Sequence, residues 1–115
     1  MRVFLYGSLM DPAVFARVAG TATPLEAARP ALLEGWRRVT LRGTPFPALI
    51  RDAGSAVDGL VAEIPPALLP ALHAYEGALY RFVPLRVQCE GRRLAVRAWI
   101  ARPDQADARR SWSPS

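Results

Sequence analysis

Two runs near the C-terminal end restrict the fold more than anything else in the chain. Apolar residues recur at every second position in Val83, Leu85, Val87 and Cys89, and again in Leu94, Val96, Ala98 and Ile100. A period of two puts each set on one face of a strand. Glu90-Gly91-Arg92-Arg93 lies between them as the turn, so the pair reads as a β-hairpin with one apolar face. That face has to be buried, and the remaining residues must supply its cover. With 115 residues there is room for one domain.

Upstream the β-like texture recurs. Val3 to Tyr6 is a short apolar run closed by a turn. Ala31 to Leu41 alternates loosely, with Gly35 marking a bulge or bend. The chain turns at Gly43 and resumes as a strand near Pro45 and Pro47. Residues 51–56 (Arg-Asp-Ala-Gly-Ser-Ala) read as a turn cluster, and Val57 to Ile64 as a further strand. Helical signals are fewer. Asp11 offers an N-cap oxygen and Pro12 the preset φ of a first helical position. Val14, Phe15 and Val18 follow at helical spacing until Gly20. Leu68, Leu72 and Tyr75 mark a second helix, opened by Pro65 and Pro66 and closed by Gly77; Pro70 either loosens its first turn or delays the regular helix. Residues 21–30 read as a connection. A domain over 1–101 is then followed by a polar, loosely held tail over 102–115.

About six strands and two short helices point to an α+β fold, a small, strongly curved mixed sheet or barrel flanked by the helices. So few helices exclude a doubly wound sheet. The first βα turn also has only Gly7 of the three glycines that a dinucleotide fingerprint needs.

Composition removes several classes of function. The net charge of +5 comes from Arg alone, spread from Arg2 to Arg110 without a basic cluster, which argues against a nucleic-acid surface. The single cysteine, Cys89, can form no internal disulfide and has no ligand neighbours for zinc; a small core residue is its expected role. No apolar stretch approaches the roughly 20 residues that span a membrane, and the N-terminus has no signal-peptide pattern. A soluble cytoplasmic protein with no nucleic-acid or membrane partner is expected. The one histidine, His73, has no Ser or Cys in a nucleophile context, and there is no P-loop or HExxH. Chemistry without metal or cofactor must rest on carboxylates, hydroxyls, Arg and backbone donors.

Two segments carry such groups. In Leu5-Tyr6-Gly7-Ser8-Leu9-Met10-Asp11-Pro12 a strand gives way to a helix. The stretch reads either as a plain connection or as a cradle of backbone N–H groups for an anion, to which Ser8 adds a hydroxyl. The other segment is His73-Ala74-Tyr75-Glu76-Gly77. Glu76 directly precedes the glycine that ends an apolar-faced helix, where unpaired carbonyls disfavour a negative charge. Desolvation there would raise its pKa into the range of a general acid/base; pointed into water, it would do nothing. His73 lies one turn earlier, and Tyr80 and Arg81 follow.

Taken together, the two segments resemble the γ-glutamylcyclotransferase-like family, which includes γ-glutamylamine cyclotransferase-like proteins. The resemblance rests on "FLYGSLM" at 4–10 and "LHAYEGALYR" at 72–81, joined by "LLEGWRRV", "PFPALI" and "VDGLVAEI" in the same order, and it runs from about residue 2 to 101. It implies that a substrate α-amine attacks its own γ-glutamyl carbonyl, giving 5-oxoproline and a free amine, amino acid or peptide. Glu76 would be the catalytic acid/base, and Tyr6, Gly7, Ser8, Leu9 and Tyr80 would hold the substrate, with no cofactor or metal. The resemblance departs at His73, where many relatives carry Asp. The loops at 21–30 and 42–47 and the tail are where the leaving group would be selected. A module that binds a small molecule or a partner in the same pocket without turnover is the alternative reading.

Overall fold

The computed structural model describes residues 1–112. Its strands are β1 (Arg2–Leu5), β2 (Arg29–Leu41), β3 (Pro47–Glu63), β4 (Tyr80–Cys89), β5 (Arg92–Ala101) and β6 (Ala106–Ser111). The helices are α1 (Pro12–Ala19), α2 (Thr23–Glu26) and α3 (Leu69–Glu76). The sheet order is β3-β1-β5-β4-β2-β6, and β2 also pairs with β3. Five strands therefore close into a barrel, and β6 is added outside it. The β1–β5 pair is parallel and the other pairings are antiparallel, so the sheet is mixed, as expected.

Closing so few strands requires sharp curvature, and a bulge supplies it. Along β2 and β3 the register runs to Glu34↔Ala56 and resumes at Trp36↔Arg51, so Gly35 alone opposes Asp52–Ser55. Gly35 adopts φ +84°, which a residue with a Cβ avoids. The turn expected over residues 51–56 is therefore not a turn between strands; it is a bulge inside one continuous β3. Its Gly, Asp and Ser are turn-like because they replace ladder bonds. Ser55 Oγ donates to Asp52 at 2.7 Å, and Arg37 Nε lies 3.2 Å from the same carboxylate.

The terminal hairpin closes as its pattern predicts, from Tyr80↔Ala101 to Cys89↔Arg92. The turn is shorter than expected. Glu90 and Gly91 form it with positive φ, 51° and 76°, while Arg92 and Arg93 already belong to β5.

Alternation along β1 separates two cores. Phe4 and Tyr6 face the barrel interior with Leu33, Leu49, Val57, Val87 and Cys89. Val3 and Leu5 face outward, where Leu9, Phe15, Leu72 and Trp99 join them beneath the helices. Phe15 and Leu72 are fully buried; each such side chain contributes about 2 kcal/mol.

α1 begins and ends as its sequence dictates. Asp11 accepts from the Ala13 N–H at 2.9 Å, Pro12 takes the first position, and Gly20 closes the helix at φ 85°. Asp11→Ala is expected to lower stability by about 1 kcal/mol in urea titration, without a change in slope. Pro70 leaves α3 regular: a 3₁₀ turn at Pro66–Leu68 precedes it, and Pro70 occupies its first turn.

Two further expectations need correction. Residues 21–30 are not a bare connection, because they hold the one-turn α2 and the start of β2. The segment after residue 101 is not loosely held either. A 3₁₀ turn at Pro103–Gln105 leads into β6, which pairs with β2 at Leu41↔Ala106 and Val39↔Ser111. Ala106 packs with Val39, Leu41, Ala48 and Ala101. β6 has no large apolar residue to reveal it; its attachment is backbone pairing. Trp112 follows, its indole N–H donating to the Pro45 carbonyl at 2.8 Å. The last residues of the expected tail, 113–115, lie outside the described residues. Among the described residues, no helix is long and apolar enough to cross a membrane.

Candidate active site

β1 ends at Leu5 and passes through Tyr6 and Gly7 into a 3₁₀ turn at Ser8–Met10, followed directly by the Asp11 cap. Gly7 has an ordinary φ of −131°. What it needs is space, because a Cβ there would lie 2.8 Å from Pro47 Cγ. The loop thus rests directly on the start of β3. The bonds of the turn run from Met10 N to Gly7 O and from Asp11 N to Ser8 O, each 3.1 Å. They make no use of the Ser8 and Leu9 N–H groups, the donors left over at any such start.

Two phenols fix the walls. Tyr6 is buried in the barrel and its hydroxyl donates to the Trp99 carbonyl at 2.5 Å, tying β1 to β5. Burial, followed by the neighbouring Tyr80 and Glu76, holds its pKa well above the ordinary phenol value. The Tyr80 hydroxyl donates to the Pro47 carbonyl at 2.6 Å, tying β4 to β3. Its pKa is raised too, first by burial and then by Glu76 and Tyr75. Both side chains therefore stay protonated and committed to backbone oxygens, each keeping a lone pair free to accept.

Glu76 closes α3, and burial pushes its carboxyl up to about 7. Its neighbour Tyr75 reaches back to the loop, with the Tyr75 hydroxyl 2.7 Å from Ser8 Oγ. The opening loop and the end of α3 are thereby linked across 67 positions of sequence.

These elements enclose a cavity of about 120 Å³. The six residues that the resemblance assigns to catalysis and substrate binding, Tyr6, Gly7, Ser8, Leu9, Glu76 and Tyr80, all line it. Tyr75, Trp99, Phe4, Leu5, Phe46 and Pro47 complete the lining. Tyr75 is read from the sequence as part of an apolar helix face, and Trp99 gives no signal as a site residue because it is contributed from β5. Phe46 and Pro47 come from the 42–47 loop, whereas residues 21–30 add nothing to the lining.

His73 is not among the lining residues. Its Nδ1 accepts from the Trp99 indole N–H at 3.0 Å, and its ring meets Phe82 and Trp99 edge-on at 4.9 and 5.4 Å. It pins α3 to the barrel, and so acts on Glu76 only by holding the helix that carries it. Among the described residues, no three His, Cys, Asp or Glu side chains come together as a metal ion would require.

A family model described as gamma-glutamyl cyclotransferase, AIG2-like, matches residues 3–114. The chain belongs to this family. The AIG2-like chain is 30% identical over 111 residues to Protein AIG2 C of Arabidopsis thaliana, a match covering 89% of this chain and 63% of that protein. It thus spans less than two thirds of that relative's length. YkqA of Bacillus subtilis superposes with a TM-score of 0.80 at 25% identity, over 99% of this chain and 43% of the other. A structure of a gamma-glutamyl cyclotransferase superposes with a TM-score of 0.73 at 16% identity, over 89% of this chain and 66% of the other, which shows a shared fold. The family match extends beyond residue 101 and takes in β6.

Proposed function

We propose that this AIG2-like chain is a cyclotransferase that converts a γ-glutamyl amine, amino acid or short peptide into 5-oxoproline and the free amine, with Glu76 as its acid/base group. The observation that carries the reading is the Glu76 carboxyl, raised by burial to about 7, in one cavity with the Tyr6–Leu9 loop. Near neutral pH such a group is populated in both protonation states, as an acid/base that acts twice in one turnover requires.

The chemistry asks little more of the protein. The neutral α-amine attacks the γ-carbonyl carbon of the same molecule with its lone pair, and Glu76 takes the one proton that the attacking nitrogen then gives up. A C–N bond forms and the carbonyl electrons move onto oxygen. The protonated Glu76 returns its proton to the leaving nitrogen, the electrons fall back, and the old C–N bond breaks. Nucleophile and electrophile share one molecule, so the pocket need only hold the bent conformer, for which effective molarities reach roughly 10⁵–10⁸ M. In this reading the Ser8 and Leu9 N–H groups face the anionic parts of the glutamyl group, and the Tyr6 and Tyr80 oxygens accept from its amine.

The test is release of 5-oxoproline from a panel of γ-glutamyl compounds. At least one is expected to react, with kcat/KM falling as the pH is lowered below about 7, because the base must begin ionised. Tight binding of a panel member with no 5-oxoproline from any of them would make the chain a binding module instead.

A further inference from the structure

The cavity wall is uneven in chemistry. Glu76 is the one lining residue that carries a charge near neutral pH; much of the rest is aromatic or apolar. Of the lining residues, Phe46 and Tyr75 keep the most surface in water, 52% and 39% exposed, and so mark the mouth. Single exposed aromatics are common, but the main chain that presents Phe46 is held in place. Its carbonyl accepts from Leu41 N–H at 2.7 Å, and its N–H donates to Thr44 Oγ1 at 3.0 Å. The preceding carbonyl, that of Pro45, is clamped by the Trp112 indole. Nearby cations are turned elsewhere: Arg42 Nη2 lies on the Ala106 carbonyl at 3.3 Å, and Arg38 donates to the Asp58 carbonyl with its guanidinium beside the Trp112 ring. An aromatic side chain presented to water at a pocket mouth on a hydrogen-bonded backbone offers an apolar contact whose main chain is already ordered, so binding there loses little backbone entropy. A carboxylate brought to the same place would give up water without gaining a cation.

We propose that Phe46 forms a subsite for an apolar leaving amine. The chain then favours γ-glutamyl amides of hydrophobic, best aromatic, amines over those whose leaving group is an amino acid or peptide with a free carboxylate. The proposal rests on the γ-glutamyl reading above and supplies the leaving-group class that reading leaves open. β6 and Trp112 enter as positioning elements, since they hold the loop that presents Phe46.

Binding separates this proposal from the cyclisation itself. Calorimetry on Glu76→Gln would compare the γ-glutamyl amides of phenethylamine, methylamine and glycine, and the wild type would be assayed for 5-oxoproline on the same three. The phenethylamide is expected to bind roughly tenfold or more tighter than the methylamide, and the glycine compound no tighter than the methylamide. Added to the Gln background, Phe46→Ala should erase the first difference, while Phe46→Leu keeps most of it. Equal affinities, no detectable binding of the phenethylamide, tighter binding of the glycine compound, or a preference that survives Phe46→Ala would overturn the subsite. A Phe46-dependent preference with no 5-oxoproline from the wild type leaves the subsite standing and overturns the cyclisation.

Discussion

Replacing Glu76 with Gln is expected to lower kcat/KM for 5-oxoproline release by roughly 10²–10⁴-fold or more, while the protein stays folded and becomes more stable at neutral pH. The two effects share one cause. Burial raises the folded-state pKa from 4.5 to about 7, so the folded chain holds a proton that the unfolded chain has released. Below pH 4.5 both states carry the neutral carboxyl and its burial is harmless. As pH rises from there through about 7, stability is lost, because folding must either keep the proton or bury a charge. A shift of that size corresponds to as much as roughly 3 kcal/mol above pH 7. Gln keeps the shape without the titration, so the stability difference between variant and wild type should open between those pH values and then level off. Denaturant titrations at pH 4, 6 and 8 check it; parallel curves at all three would contradict the burial of Glu76. Retained turnover in the variant would remove Glu76 from the mechanism.

The second large effect is structural. A Cβ at Gly59 would lie 2.3 Å from the Leu5 carbonyl oxygen and 2.8 Å from two atoms of the Phe4 ring. Real Cβ atoms do not approach so closely, and the first obstacle is backbone, so β1 or β3 must move. Gly59→Ala is therefore expected to cost about 3 kcal/mol or more, the upper range for overpacking. Leu5 leads directly into Tyr6 and Gly7, so the shift should also reach the cavity and lower activity in whatever fraction remains folded. Gly54→Ala is the control: it lies in the bulge of the same strand, and an added Cβ there meets nothing within 4 Å. It should be close to neutral. Similar losses in both variants would show that flexibility, rather than close approach, is what Gly59 provides.

Much of this molecule can be read from local rules. Strict alternation in the last hairpin fixes its face and its pairing, because a one-residue slip would turn Val87 and Val96 outward. Asp11-Pro12 and Gly20 fix the limits of α1, because capping depends on neighbours only a few residues away. The position of Glu76 before Gly77 is also a local fact, and it already marks a carboxylate set against the usual preference of a helix end.

What lies beyond such rules depends on contacts between distant parts of the chain. The turn-like residues at 51–56 become a bulge only because β2 runs beside them. β6 forms because β2 offers it a free edge. Burial of Glu76 requires the opening loop, β3, β5 and α3 to arrive at one place. The Ser8–Tyr75 and Trp112–Pro45 bonds each span 67 positions, a distance no periodicity can report. The sequence by itself determined the first strand, the last hairpin, the first helix and which groups were available for chemistry. Closure of the barrel decided the rest: it turned a loop and a helix end into one cavity and withdrew a carboxylate from water.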